Sequence, residues 1–224
     1  MTVNEPKIRF KVVIPHEWSN KEKGDFWEDV SADLFDKQRW ELIPNIDFDG
    51  MQTDIYVKNL DTNERGLIEC KFQQESIDAP TIFKLMGQAL YKKVNFAYLL
   101  STSDLNGKAK AVVDGYKNEH DKPFNLVVWN SNKLAEVFMG IYNIKVPNKM
   151  DQTIRRVKTI TLLVTDQKDF FWVAEEMGKN NSPNRAIIFP THKSESSLSS
   201  EEWKEYFARD EQWKNLEITV SDQP

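Results

Sequence analysis

The chain has 224 residues, 40% of them hydrophobic, which is enough for one large or two small domains with real cores. Its formal net charge of −5 argues against a surface that always binds DNA tightly, because such a surface needs clustered lysines and arginines. A single cysteine excludes an internal disulfide and a cysteine-based zinc site, and the lack of a signal peptide or an 18-residue apolar run predicts a soluble cytoplasmic protein without membrane contact.

The first predicted elements are a strand and an amphipathic helix. Lys7–Ile14 alternates apolar and polar residues, which predicts a strand. Ser19–Glu22 has the pattern of a capping box, which predicts a helix from there to about Gln38. Glu28 lies at the border of the apolar stripe of this helix, from where its carboxylate could reach a neighbouring sheet. The residues alone leave open whether Glu28 does so or is an ordinary solvated acid.

Three strands are predicted after the helix. Alternating apolar and polar positions with β-branched and aromatic residues predict them, and turn-forming residues separate the last two. The predicted strands are Trp40–Ile46, Gly50–Val57 and Gly66–Phe72. The acidic turn 47–50 makes Asp49 a minor candidate for a supporting role.

Two of these strands carry charged residues that could share one face. Because strand side chains alternate, Glu69 and Lys71 point the same way and Cys70 points the other way. One choice of register brings Asp54 onto the face of Glu69. Two adjacent carboxylates repel, and Mg²⁺ relieves this repulsion by binding carboxylate oxygens, while a lysine can hold the attacking water. The pattern predicts metal-assisted phosphodiester hydrolysis, although Glu-x-Lys alone is more often a structural ion pair.

Helices and strands alternate in the rest of the chain, which predicts an α/β fold with a mixed central sheet flanked by helices. We predict two domains, 1–145 and 146–224, the second a small α/β unit that could begin a larger domain. The predicted elements after the Glu69 strand are a helix from Pro80 to Lys93, strand Phe96–Ser101, a helix around Ala109–Ala111, strand Phe124–Trp129, helix Leu134–Met139, a linker Asn143–Thr153, strand Thr159–Val164, helix Phe170–Gly178, strand Ala186–Phe189, a loop Ser194–Ser200, helix Glu201–Lys214 and strand Leu216–Val220.

The residues Asp54, Glu69, Cys70 and Lys71, with Glu28 upstream, resemble the motif of the PD-(D/E)xK nuclease superfamily, which has the restriction-endonuclease-like fold. The order of elements from about residue 21 to 138 is similar to that of its Mrr-like members. Thr53 stands where the motif often has proline, which weakens the match only slightly.

The resemblance implies a Mg²⁺-dependent DNA endonuclease, with Mn²⁺ as a substitute, in prokaryotic anti-phage defence. It implies catalytic roles for Asp54, Glu69, Lys71 and Glu28, and a metal site formed by Asp54, Glu69, the Cys70 carbonyl and Glu28. A homodimer, a larger assembly or a sensor ATPase, as a partner or fused to the chain, would offset weak DNA binding by one protomer. The expected nucleic-acid contacts are Gln73, Gln88, Lys92 and Lys93.

Two alternatives remain open. One is a repair or recombination nuclease that recognises branched DNA. The other is a module without catalytic activity that binds nucleic acid or serves assembly. Between residues 84 and 117 the chain has six lysines and two aspartates, which slightly favours a DNA-binding groove over ordinary solvated helix faces. The alternative to a nucleic-acid contact for Gln88 is an ordinary surface glutamine beside a half-buried Tyr91.

Overall fold

The computed structural model describes residues 6–15, 17–43, 54–147, 156–194, 199–208 and 212–221. Within these ranges the chain forms ten strands and five helices, and the strands form two five-stranded sheets. The chain divides into a central unit, Ser19–Leu134, and a terminal unit, Met1–Trp18 with Ala135–Pro224. None of the described helices is long and apolar enough to cross a membrane.

The central unit contains a mixed sheet with helices on both faces. Its elements are α1 Asn20–Asp36, β2 Trp40–Ile43, β3 Ile55–Asn59, β4 Arg65–Lys71, α2 Ala79–Lys92, β5 Phe96–Ser101, α3 Gly107–Lys117 and β6 Asn125–Trp129. The strand order is β2-β3-β4-β5-β6, antiparallel from β2 to β4 and parallel from β4 to β6. This mixed α/β architecture confirms the predicted restriction-endonuclease-like sheet.

Helix α1 begins where the capping box predicted. The Ser19 amide donates to the Glu22 carboxylate at 2.7 Å, and the Glu22 amide donates to the Ser19 hydroxyl at 3.3 Å, so the two residues satisfy each other's free amides. The apolar stripe of α1 packs on one face of the sheet, where the ring of Phe35 lies 4.9 Å from that of Tyr98. The opposite face packs against α2 and α3 through a separate cluster that includes Leu67 and Leu99.

The terminal unit contains the second sheet. Its elements are β1 Lys7–Val13, most of α4 Ser131–Tyr142, β7 Val157–Thr165, β8 Phe170–Met177, β9 Pro183–Pro190, α5 Ser200–Ala208 and β10 Glu217–Val220. The strand order is β1-β7-β8-β9-β10. Phe10 stacks on Phe138 of α4 at 4.7 Å, and Phe171 contacts Trp203 of α5 edge to face at 4.8 Å.

The first strand corrects the predicted 1–145 domain. Strand β1 pairs in parallel with β7 over its whole length, from Lys7 opposite Thr159 to Val13 opposite Thr165. It therefore belongs to the terminal unit, and the second boundary falls within α4 rather than at residue 145. A strand at the start of a chain can pair with one far along it, so chain order alone assigned β1 to the wrong sheet.

The predicted helix Phe170–Gly178 is wrong, because Phe170–Met177 is strand β8. It pairs antiparallel with β7 on one side and β9 on the other, and six of its eight residues are buried. Its aromatic and β-branched residues suit a strand in the middle of a sheet, and this packing overrides the helical preference of the later Glu-Glu-Met. Helix α5 is described over Ser200–Ala208, and residues 212–214, at the end of the predicted helix Glu201–Lys214, form a turn.

Some predictions fall outside the described residues. These are the end of the predicted strand Trp40–Ile46 from residue 44 onward, the start of Gly50–Val57 with Thr53, the candidate Asp49, residues 148–153 of the linker, and part of the serine-rich loop.

Candidate active site

The register of β3 and β4 places the two predicted acids on one face. Ile55 lies opposite Ile68, so one further step along each chain puts Asp54 opposite Glu69. Side chains of directly opposed residues in an antiparallel pair project to the same face. Asp54 precedes β3, and its Oδ2 accepts a hydrogen bond of 2.7 Å from the Cys70 amide, which ties it to the strand that carries Glu69.

The Glu69 carboxylate is the most buried charged group of this cluster. Its side chain is only 1% exposed, and its Oε1 lies 2.6 Å from Nζ of Lys71. This contact shows that Glu69 and Lys71 project to the same face, as their spacing in the strand predicts. Lys84 of α2 reaches the same oxygen at 3.3 Å, so one carboxylate oxygen has two ammonium neighbours.

The other oxygen of Glu69 is left without a protein partner. Among the described residues, Glu69 Oε2 is buried and has no hydrogen-bond partner. An unsatisfied buried oxygen costs about 1–3 kcal/mol, and more when it is charged. Such an oxygen, with a second carboxylate nearby, is suited to a hard divalent cation.

Electrostatic shifts confirm that the acids are crowded. Burial, followed by the charge of Glu69, raises the pKa of Asp54. Burial, followed by the charge of Asp54, raises the pKa of Glu28 to about 7. Burial tends to lower the pKa of Lys71, but the hydrogen bond and charge of Glu69 outweigh it and the pKa is raised. The cluster therefore favours an added positive charge.

Helix α1 brings Glu28 to this cluster. The indole of the neighbouring Trp27 donates to the Leu100 carbonyl at 3.2 Å, which fixes the helix on the sheet. The side chain of Ser31, three residues after Glu28, donates to the Trp27 carbonyl at 2.7 Å and lies beside the Cys70 thiol. Burial raises the pKa of this thiol, which argues against a nucleophilic role for Cys70, and its side chain lies on the face opposite Glu69, as the strand alternation predicts.

The predicted nucleic-acid contacts occupy different settings. Gln73 is half-buried, and its side-chain amide nitrogen donates to the backbone carbonyl of Glu75 at 2.9 Å. Gln88 is buried, whereas Tyr91 is 58% exposed, which is the reverse of the surface glutamine and half-buried tyrosine expected as the alternative. Lys92 is half-buried and Lys93 is exposed at the end of α2, about 12 Å along the helix from Lys84.

Sequence reasoning missed Lys84 as a member of the site. It appeared only among the lysines of a basic stretch, although it lies between Ile82 and Leu85, which are two of the residues that pack α2 on the sheet. One sequence feature could have identified Lys84. It lies next to the buried stripe of the helix that follows the Glu-x-Lys strand.

The residues fit a hard cation with few protein ligands. In the described ranges, no three His, Cys, Asp or Glu side chains form a complete metal-binding group. Mg²⁺ does not require one, because it is usually bound by one or two carboxylates together with water and substrate phosphates. Asp54 and Glu69 could supply the carboxylates, with Glu69 Oε2 already lacking a partner among the described residues.

Comparisons with known proteins identify the family of the chain. A search of the curated proteins found no match. Among solved structures, a protein of unknown function, AF1548, is similar over 58% of this chain and 76% of its own, with 16% identity and a TM-score of 0.42. The family model Mrr_cat, described as "Restriction endonuclease", matches residues 20–138, which include Glu28, Asp54, Glu69 and Lys71. The chain therefore belongs to the Mrr_cat restriction endonuclease family, within the PD-(D/E)xK nucleases.

Proposed function

We propose that this protein is a Mg²⁺-dependent DNA endonuclease that serves prokaryotic defence against phages. The observation that carries the proposal is the buried Glu69 carboxylate, which has one oxygen without a partner among the described residues and the other beside Lys71, with Asp54 opposite on the same face. Membership of the restriction endonuclease family supports the DNA substrate and the defence role.

The chain's own oxygens would hold the cation. Asp54 and Glu69 would supply carboxylates, and Glu28 would add a ligand directly or through water. The Cys70 amide points to Asp54, and since the N–H and C=O of a strand residue project to the same edge, the Cys70 carbonyl also lies on the Asp54 edge. A bound Mg²⁺ would offset the negative charge of the carboxylates and the negative charge that develops on the phosphate. Mn²⁺ would serve in its place.

Lys71 would position the attacking water. Its ammonium is held by Glu69 at 2.6 Å and is partly exposed, so it can also donate to a water at the mouth of the site. The water oxygen forms a bond to phosphorus, and the bond from phosphorus to one sugar oxygen breaks. The products are a phosphomonoester and a sugar hydroxyl, and one water is consumed. The water gives one proton to the leaving oxygen and the other to solvent or to the new phosphate.

The nucleic-acid contacts would lie beside this centre. Gln73 follows Lys71 by two residues, and Lys92 and Lys93 extend the positive charge along α2. Gln88 is too deeply buried for a direct contact with a duplex and would act, if at all, through its neighbours. A homodimer, a partner ATPase and a cytoplasmic location stay predictions.

A cleavage assay tests the proposal. Wild type, Lys71→Ala and, as a matched control, Lys179→Ala are incubated with supercoiled, linear, nicked and four-way DNA. Each reaction contains Mg²⁺, Mn²⁺ or a chelator. Lys179 is an exposed lysine of the terminal unit outside the site. We expect cleavage by wild type and the control with metal only, and a loss of about 10²- to 10⁴-fold for Lys71→Ala with a native circular dichroism spectrum.

Activity of Lys71→Ala equal to that of wild type, or cleavage that persists in chelator, would contradict the proposal. A strong preference for the four-way substrate would instead identify the junction-specific nuclease considered above.

A further inference from the structure

Lys84 has an unusual position for a lysine on a helix surface. Its side chain is 57% exposed, yet its ammonium lies 3.3 Å from an oxygen of the buried Glu69. Lys71 contacts the same oxygen at 2.6 Å and is only 29% exposed. The two lysines thus come from different elements, the strand and the helix, and converge on one carboxylate oxygen.

A purely structural role accounts poorly for Lys84. Glu69 already has a shorter ion pair with Lys71, and a half-exposed second pair contributes little to stability because water competes for both charges. Two ammonium groups beside one oxygen also repel each other. The charge of Lys84 also acts on Asp54, so the acids of the cluster balance it until a cation binds them.

An anion that arrives at the mouth of the site would use that charge. A divalent cation on Glu69 Oε2 would weaken the attraction of this carboxylate for both lysines on Oε1, because it adds positive charge beside them. Lys71 follows Glu69 by two residues on the same strand, whereas Lys84 is the more exposed and can turn outward through its flexible stem. A phosphate oxygen is a suitable acceptor for such a compact ammonium donor.

We propose that Lys84 binds the scissile phosphate of the DNA and is a second lysine of the catalytic centre. This inference rests on the proposed nuclease function. Lys71 would then hold the water and Lys84 a non-bridging oxygen of the phosphate that the water attacks. The division follows the burial of the two side chains, since the deeper one is the more firmly held by Glu69.

The test compares Lys84→Met, Lys84→Arg and the control Lys179→Ala with wild type. Methionine keeps most of the stem and removes the charge, while arginine keeps the charge. Three quantities are measured: single-turnover cleavage at saturating DNA with Mg²⁺, the salt dependence of DNA affinity with Ca²⁺, and Mg²⁺ affinity without DNA by calorimetry.

We expect the single-turnover cleavage rate of Lys84→Met to be at least about a hundredfold lower, the effect of losing one hydrogen-bond donor to the transition state. Lys84→Arg should recover part of the rate. The slope of log affinity against log salt should fall by about 0.9, the value for one lost phosphate contact. Mg²⁺ affinity should be unchanged or higher. The control should match wild type in all three measurements.

Two outcomes would overturn the inference. Weaker Mg²⁺ binding by Lys84→Met with an unchanged salt slope would mean that Lys84 only positions Glu69. A wild-type cleavage rate and a wild-type salt dependence of DNA affinity in Lys84→Met would mean that Lys84 contacts no phosphate. Both differ from failure of the proposed function, in which wild type itself cuts no DNA in any metal.

Discussion

Each of the two sheets buries a glutamate on a strand in its middle, and the two glutamates have opposite surroundings. Glu69 lies on β4 of the central unit and Glu175 on β8 of the terminal unit, with 1% and 4% exposure. Glu175 accepts hydrogen bonds from two neutral donors, the indole of Trp213 at 2.8 Å and the amide of Gln212. Glu69 instead faces two lysines on one oxygen, and its other oxygen has no partner among the described residues.

The difference supports a structural role for Glu175 and the proposed catalytic role for Glu69. Neutral donors fixed by tertiary packing contact Oε1 of Glu175 and hold the segment around Trp213 against the sheet. Glu69 instead has two lysine neighbours, a nearby acid and an oxygen without a described partner, which supports a role in holding an added cation. Burial alone is therefore a poor guide to function, and the nature of the partners is the better guide.

The same substitution in both glutamates gives the largest contrast. We expect Glu69→Gln to lower DNA cleavage by at least about a hundredfold and to abolish the heat of Mg²⁺ binding, because it removes one of two carboxylates from the metal site. Plasmid cleavage and calorimetry measure both, and circular dichroism checks the fold. Full activity in this variant would show that the buried charge of Glu69 plays no part in catalysis.

The acidity of Glu28 gives the next contrast. Burial, followed by the charge of Asp54, raises the pKa of Glu28 to about 7. In the unfolded chain a glutamate has a pKa of about 4.3. Between these values the folded protein holds a proton that the unfolded chain has lost, so the free energy of unfolding falls as pH rises through this window. Glu28→Gln should weaken this dependence in urea unfolding of the metal-free protein, and the exposed Glu41→Gln should keep it.

Mg²⁺ should lower the pKa of Glu28, since it offsets the negative charge of Asp54 and Glu69. Carbon-detected NMR titration of the glutamate carboxyls with and without Mg²⁺ measures the effect. An identical titration curve in both conditions would argue that no cation binds near Glu28.

Glu175→Gln should affect stability and not activity. A hydrogen bond to a charged acceptor contributes about 1.5–3 kcal/mol and one to a neutral acceptor about 0.5–1.5 kcal/mol. We therefore expect a loss of about 1–2 kcal/mol in the free energy of unfolding, measured by urea denaturation, with normal cleavage below the unfolding temperature. A variant as stable as wild type would show that the contacts from Trp213 and Gln212 are dispensable.

The smallest expected effects come from two matched helix caps. Ser199 and Glu202 of the terminal unit form the same reciprocal pair as Ser19 and Glu22, with the same distances of 2.7 and 3.3 Å. Ser19→Ala and Ser199→Ala should each cost about 1 kcal/mol. If the two units unfold separately, calorimetric scans should show each variant shifting a different transition, whereas a single shared transition would show that they unfold together.

Much of the central unit could be predicted from sequence because its signals are local. The capping box at Ser19, the buried stripe of α1 and the alternation in β4 depend on residues only a few positions apart. The same alternation determined that Glu69 and Lys71 share a face. The apolar run of β5 and its helical neighbours completed the order of elements, which the family match over residues 20–138 supports.

Other features depended on residues far apart in the chain. Strand β1 found its partner in β7, about 150 residues later, and β8 became a strand because two neighbours supplied its hydrogen bonds. The intrinsic secondary-structure propensity of a segment is weak compared with such strand pairing. Prediction from the sequence therefore assigned β1 to the wrong unit and β8 to a helix.

The sequence by itself determined that Glu69 and Lys71 share a face, because strand periodicity dictates the face on which each residue of β4 lies. Only the tertiary structure decided how those charges are balanced. The register of β3 set Asp54 opposite Glu69, and the packing of α2 brought Lys84 to the same carboxylate. Charge balance depends on distances between separate elements, and these distances are set by the packed core rather than by spacing along the chain.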